Sequence, residues 1–150
     1  MRTLAVRLAI CFGLGKLPAP GTWGSIPGLV LGALCALFLS PWATLLALFL
    51  LTVVTYVSIA VTEATWHTHD DSRIVIDEVL GCAIAVAFLS PGLFHWLLGF
   101  ALFRIFDIVK PGPIGYIDKK MASSFATMLD DMVAGVCAGL CLWLISFLGL

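Results

Sequence analysis

The sequence is short of charge. Among 150 residues there are only 8 Lys or Arg and 9 Asp or Glu, while 61% are hydrophobic. A soluble domain carries roughly a quarter charged residues. Too little polar material is present to coat a water-soluble globule, and the mean hydropathy of +1.11 agrees. The reading is a single membrane-embedded domain over residues 1–150. With a net charge of −1 and no basic stripe, a nucleic-acid partner is excluded.

Other absences narrow the chemistry. No CxxC occurs, and the five cysteines (Cys11, Cys35, Cys82, Cys137, Cys141) all sit in apolar surroundings, which reads as small buried hydrophobes. No cysteine is followed six positions later by arginine, so a Cys-based phosphatase loop is excluded. The glycine-rich stretch near the N-terminus lacks the Lys-Ser/Thr ending of a P-loop. A small-residue cleavage site is missing too, so the N-terminus reads as mature sequence.

What is present is a set of long apolar runs. Leu17 to Thr62 carries no charge, room for two spans of about 20 residues. "LSPWA" at residues 39–43 supplies the break, with Pro41 suited to a first helical turn. Helices are expected near 25–39 and 42–63. A second uncharged stretch, Val79 to Phe103, is interrupted by "LSPG" at 89–92 and reads as a helical hairpin with arms reaching to about Ile74 and Lys110. A fifth span begins near Met128. The expected fold is all-α: a compact polytopic bundle of about five transmembrane or partly spanning helices. Every charge then falls on one side of the membrane, in polar loops on one face. With all Lys and Arg there, the positive-inside rule makes that side cytoplasmic.

Three polar segments share that face. "GLGKLPAPGTWGS" (13–25) reads either as a backbone N–H nest for an anion or as a flexible loop. "EATWHTHDDSRIVIDEVLG" (63–81) contains Glu63 and His67 at helical spacing, followed by His69, Asp70 and Asp71, which reads as a solvated loop. Asp77 and Glu78 differ, because they abut a helix that enters lipid, where ionised groups face protein or a polar cavity. In the third segment (103–135), Arg104, Asp107 and Lys110 fall on one helical stripe. Asp130 and Asp131 open the last span there. Small residues follow both acid pairs, Gly81 after one, Ala134 and Gly135 after the other, and permit close helix contact.

Asp77, Glu78, Asp107, Asp130 and Asp131 are therefore expected to meet at one membrane face. Arg104 and Lys110 offset only part of that negative charge. An all-oxygen donor set points to Mg²⁺ before zinc. Basic residues beside a carboxylate-bound metal suit a phosphate, so the residues point to a phosphorylated lipid as substrate. A small cation transporter is the alternative from another class, and would place its acids near mid-membrane on broken helices.

Four stretches in this order, "GLGKLPAPGTWGS", "HDDSRIVIDEVLG", "FRIFDIVKPGPIGYID" and "MLDDMVAG", resemble the phosphatidylglycerophosphatase A family. The resemblance implies a bacterial inner-membrane lipid phosphatase that converts phosphatidylglycerophosphate to phosphatidylglycerol with Mg²⁺. It implies catalytic roles for Asp77, Glu78, Asp107 and Asp131, with Asp130 added as a metal ligand. Substrate binding falls to Arg104, Lys110, Thr22, Gly24 and Ser25, and Gly21 and Pro111 also occupy motif positions. "MASSFAT" (121–127) lacks the glycine that the family usually carries there, and leaves Ser123, Ser124 and Thr127 as hydroxyl donors. Water attack is preferred to an aspartyl-phosphate, because no DxDxT run occurs. Other phospholipid phosphotransferases or phosphatases are the nearer alternatives, though no D-G-x-x-A-R and no PSGH run is present.

Overall fold

The computed structural model describes residues 2–89, 92–121 and 123–148, with the side chains of residues 119 and 120 left aside. Among the described residues seven α-helices follow one another: α1 (Arg2–Ala9), α2 (Pro20–Phe38), α3 (Pro41–Trp66), α4 (Ile76–Val86), α5 (Leu93–Val109), α6 (Pro113–Lys120) and α7 (Ser124–Phe147). No strand occurs among the described residues. The all-α bundle is as expected, but the count of about five spans is loose. Among the described residues, only α2, α3 and α7 are long and apolar enough to cross a membrane.

The difference lies in the hairpin. Helix α4 has 11 residues, which rise about 16 Å, roughly half of a ~30 Å hydrocarbon core. Lipid does not surround it: Leu80, Cys82 and Val86 are fully buried, and α2 and α7 pack against it on two sides. The helix is the core of the bundle. The expected tip of the hairpin, "LSPG", includes Ser90 and Pro91, which lie outside the described residues. The outer surface is apolar in the manner of a lipid-facing belt, with Trp42 82% and Phe38 75% exposed near the turn between α2 and α3.

Glycine spacing explains how α4 is enclosed. Gly24, Gly28 and Gly32 recur every fourth residue on α2 and form one stripe. A Cβ on Gly28 would run into the Val79 carbonyl, and one on Gly32 would lie 2.8 Å from the Ala83 carbonyl. On the other side of α4, Gly135 of α7 meets the Gly81 carbonyl with no room for a methyl group. The small residues after the two acid pairs thus face each other.

Several ends depart from expectation. Helix α2 starts at Pro20 rather than near residue 25, because proline suits the first helical position and Ala19 takes a left-handed φ of 56° just before it. At the next break, Ser40 caps α3 by accepting from the Ala43 N–H at 3.3 Å. The short helices α1 and α6 were not foreseen. "PGPIGYID" forms α6 because Pro113 again occupies a first-turn position. The hydroxyl of Ser123 caps α7 by accepting from Ala126 N–H at 3.2 Å, a cap role that needs no glycine.

Candidate active site

The starts of α2, α4 and α7 and the end of α5 meet around a cleft of about 400 Å³. Each acid reaches it for a local reason. Asp77 and Glu78 occupy the first turn of α4, where unpaired N–H groups favour negative charge. Asp77 also accepts from the Glu78 N–H at 3.2 Å. Asp130 and Asp131 sit one to two turns into α7, and the Gly81–Gly135 contact draws α7 against α4 at that level. Arg104 and Asp107 share one face of α5, and Lys110 ends that helix in a left-handed conformation, φ 47°.

The five carboxylates fall into two groups. Oxygens of Asp77, Glu78 and Asp131 all lie within 4.8 Å of one another. Carboxylates at that spacing repel by about 3–4 kcal/mol per pair at an effective dielectric of ~20. Asp77 and Asp131 are 6% and 5% exposed, so water relieves little of it. Glu78 Oε2 and Asp130 Oδ1 are buried without a hydrogen-bond partner among the described residues. Orphaned oxygens in an all-carboxylate cluster fit a hard divalent cation.

The other two acids are paired. Arg104 donates through Nη1 to Asp107. Lys110 Nζ donates to Asp130 at 2.7 Å and also to Asp118 of α6. Burial works against the charge of Lys110, but those hydrogen bonds outweigh it and hold its pKa above the usual lysine value. Lys110 therefore stays charged, and both it and Arg104 line the cleft.

The substrate-binding expectations divide. Arg104 and Lys110 line the cleft, and Ser25, fully buried, lies 3.5 Å from Arg104 Nη1 while its hydroxyl donates to the Gly21 carbonyl at 2.7 Å. Thr22 is exposed on α2 and Gly24 packs on Val75, and neither lines the cleft. The N-terminal loop is no backbone nest over its second half, since residues 20–25 are helical. Gly21 matters in another way. A Cβ there would lie 2.5 Å from Glu78 Oε1 and 2.9 Å from the Arg104 guanidinium, so its bareness lets these two groups approach.

Glu63 departs from the solvated loop expected for it and His67. His67 does end α3 in a left-handed conformation and is exposed. Glu63 is instead 8% exposed and bound to His69, Asp70 and Ser124. The available signal was an acid one turn before the end of a long apolar helix.

The phosphatidylglycerophosphatase A family model matches residues 7–146. This chain belongs to the phosphatidylglycerophosphatase A family. A Haemophilus influenzae phosphatidylglycerophosphatase A is 38% identical over 142 residues, covering 93% of this chain and 87% of that protein. The Escherichia coli phosphatidylglycerophosphatase A is 35% identical over 136 residues, covering 86% of this chain and 76% of that protein. A Bacteroides thetaiotaomicron protein provisionally named a phosphatidylinositol-3-phosphatase is 34% identical over 142 residues, covering 89% and 87%. No solved structure matches the chain.

Proposed function

We propose that this member of the phosphatidylglycerophosphatase A family hydrolyses the terminal phosphomonoester of phosphatidylglycerophosphate, yielding phosphatidylglycerol and inorganic phosphate, with Mg²⁺ as cofactor. The observation that carries the reading is the meeting of three clustered carboxylates, two buried and Glu78 half-buried, with Arg104 and Lys110 in one cleft, in a chain with this family membership. Asp77, Glu78 and Asp131 would hold the ion, with the free oxygen of Asp130 nearby as a further ligand. When bound, Mg²⁺ would draw charge from the phosphoryl oxygens and acidify a water.

The chain's own residues do the rest. Arg104 and Lys110 receive the phosphoryl oxygens and neutralise the charge that spreads over them as the P–O bond to glycerol breaks. Asp107 and Asp130 fix those two cations in place. A carboxylate of the cluster takes the proton from the attacking water as its oxygen bonds to phosphorus. The glycerol oxygen leaves with the bond electrons and takes up the proton that the carboxylate removed from the water. Because the cleft opens at helix ends, the lipid keeps its acyl chains in the bilayer throughout. The grouping of Lys and Arg at this end supports a cleft facing the cytosol of a bacterial inner membrane.

The purified protein in detergent micelles, given phosphatidylglycerophosphate and Mg²⁺, is expected to release phosphate. EDTA should stop the release and added Mg²⁺ restore it. No phosphate from wild-type protein overturns the reaction, and undiminished release in EDTA overturns the metal. For sidedness, a cysteine placed at Ser72 should react with a membrane-impermeant thiol reagent only when the cytosolic face is exposed.

A further inference from the structure

Glu63 serves no step of that reaction, yet its carboxylate is among the most engaged in the chain. Oε1 accepts from the main-chain N–H of Asp70 at 2.8 Å and lies 2.9 Å from His69 Nδ1. A carboxylate only accepts, so Nδ1 carries the hydrogen. Oε2 accepts from the Ser124 hydroxyl. One buried side chain thus ties the end of α3 to the loop before α4 and to the first residue of α7.

Asp70, whose N–H the tether holds, has a left-handed backbone, φ 52°. Such a φ is uncommon outside glycine and persists where surrounding bonds impose it. Asp70 and Ser72, both exposed, are among the residues that line the cleft, and neither side chain makes a hydrogen bond to a described residue. Asp71 lines it as well, but both of its oxygens are held by Arg73, at 2.8 and 2.7 Å. The cleft therefore has two kinds of lining. Arg104 and Lys110 suit a phosphate. Asp70 repels a phosphate but accepts from a hydroxyl, and Ser72 can donate or accept.

We propose that Asp70 and Ser72 recognise the free hydroxyl of the glycerol between the two phosphates of the headgroup, and that Glu63 is the positioning residue that sets them. The proposal rests on the reaction above. It explains why an unpaired acid stands in a phosphate-binding cleft: it turns the hydroxyl-bearing carbons toward the loop and the phosphate toward the cations.

The test compares kcat/KM for phosphatidylglycerophosphate with that for an analogue whose terminal glycerol is replaced by propane-1,3-diol, which removes only that hydroxyl. A site built around a hydroxyl rejects the analogue lacking it, so wild-type preference should be about tenfold or more. Asp70→Ala and Glu63→Ala should each bring the preference close to one. Ser124→Ala leaves the bond to Asp70 and should keep most of it. The ratio is measured within one preparation, so a lower folded fraction does not move it. If Glu63→Ala does not fold, Glu63→Gln, which retains one acceptor oxygen, should give an intermediate ratio, and Asp70→Ala still tests the wall. Wild-type release from both substrates without preference overturns the wall alone, as does full preference in Asp70→Ala. Full preference in Glu63→Ala, or in Glu63→Gln, overturns the positioning role. Release from neither substrate overturns the reaction and the wall with it.

Discussion

Asp77–Glu78 and Asp130–Asp131 look alike in the sequence: two adjacent acids ahead of an apolar helix and a small residue. In the fold they are not equivalent. Both members of the α4 pair join the unpaired cluster, whereas the α7 pair is split. Asp131 faces the α4 acids, and Asp130 turns to Lys110. The reason is helical pitch. Adjacent residues on a helix point about 100° apart, so only one can face α4 squarely. At the start of α4 the chain is enclosed on several sides, and both directions meet protein. A third pair, Asp70–Asp71, lies in a loop, where Asp71 is taken by Arg73 and Asp70 is left to the cleft.

That contrast can be broken by substitution. Asp131→Asn and Glu78→Gln should each lower kcat by about 10²–10³-fold, as loss of a charge-stabilising group does, with folding retained. Phosphate release per folded molecule checks it, and full activity in both would remove the cluster from the chemistry. Gly21→Ala should lose about 10²-fold, because the added methyl displaces Glu78 and Arg104, whose side-chain ends can move. Its thermal stability should change little. Gly28→Ala should do the opposite, lowering the unfolding temperature through about 1–3 kcal/mol of overpacking, because a backbone carbonyl cannot move aside.

Asp130→Asn should cost less than Asp131→Asn, about tenfold, and raise KM more than it lowers kcat, since Lys110 retains Asp118. Equal losses at positions 130 and 131 would erase the distinction within that pair. The smallest effect belongs to Asp71. Its hydrogen bonds with Arg73 lower its pKa in the folded protein. A lowered folded value means the contribution is present above the unfolded pKa of about 3.9 and is lost as pH falls through the folded value. Asp71→Asn should therefore lower the unfolding temperature slightly at neutral pH, and melting curves of the two proteins should converge in acid.

Much of this site was legible because charge is rare in an apolar chain. Carboxylates beside lipid-grade helices stand out, and so does their convergence once hairpin topology is read from "LSPW" and "LSPG". The glycine stripe at 24, 28 and 32 was also in view, but it straddled the expected loop–helix boundary at residue 25, so its role in packing went unread. Pro20 held the correct boundary. Burial of α4 was not legible, since an apolar run looks the same whether lipid or protein surrounds it. Nor was the Glu63–Ser124 contact, which joins residues 61 positions apart through side chains that each look at home in a polar loop.

From residue types in order came the apolar helices, the helical class and the acids of the cleft, because these follow from transfer free energies and chain continuity. Folding in three dimensions assigned each acid its partner, left Glu78 and Asp130 with an unbonded oxygen and made Glu63 a tether. Those outcomes depend on which way a side chain points and what stands within hydrogen-bonding reach, and both are set by how α2, α4 and α7 lock together through their glycines.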